Sequence, residues 1–251
     1  MQHPRYTQEE PDAIRPFTVP TLANAIETFR VIPLNSGYCN SSMNCQYPDL
    51  PLMVGFAVTA RVSTDQPLSE VRPGIHEPDY WRFIAAQPGP KVAVVQDIDN
   101  PPSGAMWGEW NANVHKALGC VGMVTDGAAR DLDAVKKLNF HFFSTHVLPS
   151  HSYGEFIDYG GSVRVAGMTV QTGDLLVGDM HGVLMIPAEI PLKALAQAAA
   201  EIDRLESEIF AFCQSSEFSI ETLEELDKSM AARWPKPAVI SRVTEKAWKT
   251  V

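Results

Sequence analysis

Apolar positions recur along the chain in blocks whose spacing separates helices from strands. Leu22, Ile26 and Phe29 share one face of a helix predicted over 21–29. Leu52 to Val62 is apolar and β-branched and reads as a strand; Lys91 to Asp97 reads as a second, buried one. Between them, residues 64–90 carry five prolines and read as a loop with one short helix near Tyr80–Ala86. A helix is expected from Trp107–Glu109 to about Leu118, a strand over Cys120–Thr125, and a short helix from Asp131 to Leu138. Strands follow at Phe140–Val147 and Ser162–Val170, then at Asp174–Val177 and Gly182–Ile186 around a turn. Leu192, Leu195, Ala199, Ile202, Leu205, Ile209 and Phe212 then repeat every three or four residues, the stripe of a long amphipathic helix. Ser219 is placed to cap a last helix, with Glu221 in its first turn. Residues 1–19 are polar and proline-punctuated and read as an arm, 20–215 as the main domain, and 216–251 as a helical tail. The order lacks the regular alternation of a doubly wound sheet or a (β/α)8 barrel and fits a β-rich core flanked by helices.

The chain of 251 residues is 45% hydrophobic and 20% charged, an ordinary globular composition. Its net charge of −10, with no lysine or arginine cluster, argues against nucleic acid or an anionic membrane as the main partner. A small anionic substrate stays compatible, because one arginine or a metal reverses the local field. Cys39, Cys45, Cys120 and Cys213 form no CxxC pair, so a four-thiolate zinc site is not expected and free thiols are. No run approaches a membrane span and no signal sequence is evident, which suggests a cytoplasmic protein.

Chemistry concentrates in Gly119 to Asp131, where an apolar run ends in a glycine-containing turn and delivers Arg130 and Asp131. Arginine offers a planar fork for a carboxylate or enolate oxygen, and aspartate is a hard ligand for Mg²⁺ or Mn²⁺. A surface ion pair, or a helix cap by Asp131, is the plainer alternative. Glu109 opens the preceding helix, where free backbone N–H groups can hold an anion and its carboxylate could move a proton. A glutamate merely well placed in a first turn would look the same. Asp126 reads as orienting its turn rather than reacting. Asp179 and His181 suggest either a metal pair or turn chemistry. The remaining histidines lack HxxxH or HExxH spacing, and GxSxG, GxGxxG and P-loop motifs are missing.

Taken together, Trp107-Gly108-Glu109, Gly119 to Asp131 and Gly173 to Pro187 resemble the RraA-like family. Its members include metal-dependent 4-hydroxy-4-methyl-2-oxoglutarate aldolases, oxaloacetate decarboxylases and the regulator of RNase E activity A. The family aldolases show an acid, twenty residues, then Arg-Asp. Glu109 and Arg130 keep that spacing, with Glu where many members have Asp. The resemblance runs from about Leu22 to Glu208. It implies an α/β fold, a layered β-core flanked by helices in an α/β/β/α sandwich of the swivelling phosphohistidine-domain type.

It also implies a divalent-metal-dependent lyase that releases pyruvate from a 2-keto acid, by retro-aldol cleavage or oxaloacetate decarboxylation. Asp131 would ligate Mg²⁺ or Mn²⁺, and the amides of Gly108, Glu109, Trp110 and Asn111 would grip the substrate carboxylate. Arg130 would sit on the 2-keto oxygen, and Glu109 would orient a metal-bound water that shuttles protons. Glu206, with Glu208 as its near alternative, would complete the site of a neighbouring subunit in a homotrimer or hexamer. The other readings are a protein-binding regulator and a sugar-acid hydratase or dehydratase on the same scaffold.

Overall fold

The computed structural model describes residues 10–69, 73–99 and 101–236. Its centre is three consecutive strand–helix units. Strand β2 (Met53–Ser63) leads through α2 (Glu77–Ala85) to β3 (Lys91–Asp97). That strand leads through α3 (Glu109–Ala117) to β4 (Cys120–Ala129), and β4 through α4 (Leu132–Lys136) to β5 (His141–Val147). These four strands pair in parallel in the order β5-β4-β3-β2. The expectation that regular alternation is lacking is therefore corrected for this half of the chain. The short helices expected near Tyr80–Ala86 and from Asp131 to Leu138 are α2 and α4, nine and five residues long, and counting them among the elements restores the alternation.

The rest of the sheet is antiparallel. The hairpin of β9 (Leu175–Asp179) and β10 (Gly182–Ile186) joins the first half of β2, and β6 (Glu155–Tyr159) joins its second half. Strand β6 was not expected, because Glu155 and Asp158 interrupt its apolar pattern. The strand expected over Ser162–Val170 is instead the hairpin of β7 (Val163–Val165) and β8 (Met168–Val170). It reverses at Ala166 and Gly167, both at positive φ. Residues 38–45 bridge the two sheet edges: Tyr38 pairs with Leu184 of β10, and β1 (Asn44–Cys45) pairs with β5. The sheet is thereby nearly closed into a barrel.

Alternation along β2 explains the layers. Val54 and Phe56 pack under α1 (Val19–Glu27) and α5 (Leu192–Cys213). Val58, Ala60 and Val62 continue the same face and pack with Tyr80 and Ile84 of α2, Ala112 of α3 and Val135 of α4. Met53 and Ala57 point the other way, into a core closed by the β7–β8 hairpin.

The segment read as an arm contributes to this packing. Glu10–Ile14 forms a 3-10 turn, and Ile14 is fully buried against the α1–α5 core; residues 1–9 lie outside the described set. Helix α1 begins at Val19, where the Thr18 side chain accepts from the Thr21 N–H and Pro20 needs no hydrogen bond. Ser219 caps α6 (Ile220–Arg233) in the same way. The four cysteines are free, and burial pushes the Cys39 and Cys120 thiols up to about 12. Among the described residues, no helix is long and apolar enough to cross a membrane.

Candidate active site

The carboxyl ends of parallel strands collect loops that begin at one edge of the sheet, where ligands bind in many α/β proteins. Strand β4 ends there at Ala129, and Arg130 and Asp131 follow it. Trp107, from the β3–α3 loop, runs beside Ala129 as a parallel bridge, and its carbonyl accepts from the Arg130 N–H at 2.7 Å. This pairing brings Gly108 and the amino end of α3 against Arg130-Asp131, although twenty residues separate Glu109 from Arg130.

Asp131 adopts a left-handed backbone, φ +56° and ψ +35°, which aspartate tolerates better than most residues. It precedes α4 but makes no side-chain cap there. Its Oδ2 instead accepts from the Glu109 N–H at 3.0 Å, capping α3. The alternative reading of Asp131 as a cap thus holds for α3 rather than α4, with one carboxylate oxygen committed. The side chain is 40% exposed, and Oδ1 has no assigned donor among the described residues. Arg130 Nε lies 3.9 Å from Asp131 Oδ2 and is buried without a hydrogen-bond partner.

Gly108 is required by this close approach. A β-carbon there would stand 2.4 Å from Asp131 Oδ2 and 3.0 Å from Arg130 Cγ. The first intrahelical bond of α3 is Ala112 N–H to the Gly108 carbonyl, so the amides of Trp110 and Asn111 have no partner within the helix. The Asn111 side chain turns inward and donates to the Met106 carbonyl at 2.8 Å, leaving its backbone N–H for any ligand. Glu109 and Trp110 are exposed, Trp110 to 73%.

Behind the helix start lies a support that the histidine spacing did not reveal. His115 is fully buried, tilted against Trp107 at 4.6 Å between ring centroids. Its Nδ1 donates to the Asn111 carbonyl at 2.8 Å, so Nε2 accepts from the Tyr80 hydroxyl at 3.2 Å. Burial lowers its pKa to about 4 and keeps it neutral.

A second polar cluster, unforeseen except for Asp126, occupies the same strand ends. A cleft of about 530 Å³ lies between them and the β7–β8 hairpin, lined among others by Gln96, Asp97, Asp126, His146 and Arg164. Asp126 orients its turn, as expected: Oδ1 accepts from the Asp97 N–H at 2.8 Å. Asp97 in turn accepts from Asp99 N–H and the Thr64 hydroxyl. Burial pushes both carboxyls up to about 6 against the lowering effect of these bonds; for Asp97, the charges of Asp99 and Asp126 add to the rise.

The other expectations resolve simply. Asp179 and His181 show turn chemistry: Asp179 Oδ1 accepts from the His181 N–H at 2.8 Å, and Oδ2 accepts from Val19 N–H, pinning α1. Glu206 is not brought to Arg130-Asp131 within one chain. Helix α5 packs chiefly on α1, the 3-10 turn and α6, over a different part of the sheet. Among the described residues, no three His, Cys, Asp or Glu side chains are grouped to hold a metal.

The family model described as RraA-like, aldolase/RraA, matches residues 20–185. A proposed 4-hydroxy-4-methyl-2-oxoglutarate aldolase of Halalkalibacterium halodurans is 31% identical over 137 residues, 54% of this chain and 60% of that protein. One from a Marinomonas species is 31% identical over 106 residues, 41% of this chain and 65% of that protein. The matched stretches thus span less than two thirds of these relatives' length. Among solved structures, an uncharacterized protein from Pseudomonas syringae superposes with a TM-score of 0.69 at 21% identity, covering 91% of this chain and 97% of its own. RraAS2 of Streptomyces coelicolor, described as an unusual member of the RNase ES inhibitor RraA family, gives 0.62 at 23% identity, covering 84% and 98%. At these identities the structural likeness speaks for the fold.

Proposed function

This chain belongs to the RraA-like family, and on that premise we propose that it is a lyase that cleaves a carbon–carbon bond of a 2-keto acid and releases pyruvate. One observation carries the reading. Arg130, Asp131 and the amino end of α3 converge, and Arg130 Nε is left buried without an acceptor. Such a donor is costly unless something fills the role of acceptor.

The 2-keto oxygen of the substrate fills it. Retro-aldol cleavage and β-decarboxylation both leave an electron pair on the carbon next to the carbonyl, and that charge spreads onto the keto oxygen. Arg130 stabilises it there more strongly in the transition state than in the ground state. The Trp110 and Asn111 amides, at the positive end of α3, hold the substrate carboxylate. Glu109, exposed at the same helix start, moves the proton that the leaving alcohol releases or the new carbanion needs.

The residues fit a hard divalent cation. Asp131 offers one open carboxylate oxygen with Glu109 beside it, and Mg²⁺ commonly takes one or two protein carboxylates with water filling the rest. Asp131 would hold Mg²⁺ or Mn²⁺, which when bound would add positive charge at the keto oxygen. Glu206 would reach the site from a neighbouring copy in a homotrimer or hexamer.

The test incubates the protein with oxaloacetate and, separately, with 4-hydroxy-4-methyl-2-oxoglutarate, in Mg²⁺ or in EDTA, and follows pyruvate by a coupled assay. Mg²⁺-dependent release above the spontaneous rate is expected from at least one substrate. No release from either would move the reading to a protein-binding regulator of the same fold or to an unrelated substrate.

A further inference from the structure

His115 is fully buried, and nothing in the chemistry proposed above uses it. A polar ring is costly to bury unless its nitrogens are paired, and an apolar residue would fill the same space. Both nitrogens are paired. The Asn111 carbonyl can only accept, so Nδ1 carries the proton and donates at 2.8 Å; Nε2 then accepts from the Tyr80 hydroxyl at 3.2 Å. Tyr80 is itself fully buried on α2, and burial raises its hydroxyl well above the ordinary tyrosine range, which keeps it a donor. The polar chain Tyr80–His115–Asn111 therefore ties α2 to the first turn of α3.

Two contacts of the imidazole reach the junction of α3 with β4. Its Nδ1–H bond fixes the Asn111 carbonyl, and the Asn111 side chain is fixed at the Met106 carbonyl. Asn111 is thus held at two points while its N–H stays open at the helix start. The ring lies against Trp107 at 4.6 Å between centroids, and the Trp107 carbonyl accepts from the Arg130 N–H. Trp107 Nε1 is buried without a hydrogen-bond partner among the described residues, so packing alone sets the indole. A helix of nine residues has little stability of its own with which to hold its end in place. Outside ties must do so, and a donor serves an anion best when it needs no rearrangement to meet it.

We infer that His115 is a positioning residue, which fixes the Asn111 N–H where it grips the substrate carboxylate. The inference deepens the lyase reading and rests on it. Phenylalanine at 115 keeps a ring against Trp107 and loses the bond to Asn111, so it separates the amide from any effect on Arg130. Asparagine at 115 is smaller and loses the ring contact, yet its amide can still donate to the Asn111 carbonyl.

The test compares wild type, His115→Phe/Tyr80→Phe and His115→Asn/Tyr80→Phe by pyruvate release, thermal unfolding and hydrogen exchange of residues 109–113. Tyr80→Phe is included so that no hydroxyl is left buried and unpaired. In the phenylalanine variant KM should rise about tenfold with kcat within about twofold of wild type, the pattern of a lost grip that serves ground and transition states alike. The asparagine variant should melt lower, from the space it leaves, yet its KM should return toward wild type. A wild-type KM in the phenylalanine variant overturns the inference, as does a KM that rises in step with falling melting temperature across the two variants. If the phenylalanine variant does not fold, the asparagine variant decides: a KM near wild type supports the role and a tenfold rise refutes it. If wild type releases no pyruvate, the lyase reading has failed, and exchange decides the positioning alone. Faster exchange at 109–113 in the phenylalanine variant, reversed by asparagine, supports it; unchanged exchange overturns it.

Discussion

Replacing Gly108 by alanine separates activity from stability in a way the geometry fixes beforehand. The backbone of Gly108 is extended, with φ −149°, so alanine fits its conformation. The obstacle is the 2.4 Å approach of the new β-carbon to Asp131 Oδ2; ordinary contact begins near 3.4 Å. The carboxylate must retreat by about 1 Å, and the 3.0 Å bond from Glu109 N–H is then lost. A carboxylate is the movable end of a side chain, and it is 40% exposed, so water can replace the lost donor. The cost in stability is about 1–2 kcal/mol, near the low end for a hydrogen bond to a charged group, or ~2–8 °C in melting temperature for a chain of this size. Activity has no such relief. Arg130 Cγ and Nε would lie 3.0 and 3.1 Å from the same β-carbon, so both side chains of the proposed site move together. A misplacement of about 1 Å commonly costs on the order of 10²-fold in rate. The assay pairs thermal unfolding with pyruvate release at saturating Mg²⁺. Wild-type turnover in Gly108→Ala would refute the assignment of this junction to the chemistry. A melting temperature lowered by far more than 10 °C would show that Asp131 cannot swing aside.

Three further outcomes follow from the same geometry. Arg130→Lys keeps the charge and loses the planar fork, and should lower kcat by about 10²-fold with little change in melting temperature; kcat within twofold of wild type would remove Arg130 from the keto oxygen. Glu206→Gln should lower activity by roughly 10²-fold, and mixing it with Arg130→Lys should restore part of the rate if subunits exchange and Glu206 serves a neighbour. Activity of the mixture no higher than the mean of its parts would refute that role. Asp126 has a folded pKa of about 6, above its ordinary 3.8. The fold therefore binds more protons than the unfolded chain, and the associated stability is full below pH 3.8 and lost as pH rises through 6. Asp126→Asn keeps an oxygen for the Asp97 N–H, so it should unfold at higher temperature than wild type at pH 8, by the equivalent of roughly 1–3 kcal/mol, with the gain shrinking toward pH 4. An equal gain at both pH values would refute the linkage.

Long apolar elements were legible in the sequence because their own residues dictate them. The α5 stripe, the β2 and β3 runs and the Ser219 cap follow from local pattern. Elements fixed by partners were not. Strand β6 exists because β2, eleven residues long, extends past β9 and leaves backbone groups to pair. Ile14 is one apolar residue in a polar stretch and carries no period at all, yet the helix pair above it makes it core.

The candidate site divides along the same line. Arg130, Asp131 and Glu109 could be picked out because each is chemically capable and each stands at an element end. What joins them is a bridge between Trp107 and Ala129 and a missing side chain at Gly108, and neither has a composition signal. The Asp97–Asp126 pair was hidden for a different reason. A lone carboxylate at a strand end looks like a turn residue, and only the parallel pairing of β3 and β4 sets two of them side by side, where burial raises both. Glu206 is the reverse case. The resemblance implies it, outside the residues 20–185 that the family model matches, and in the single chain it stands on a helix that packs chiefly elsewhere. Two carboxylates, one guanidinium and a helix start meet at this junction, and the reading proposed above takes a further acid, Glu206, from a neighbouring copy. If the lyase reading holds, activity should therefore depend on protein concentration wherever the oligomer dissociates.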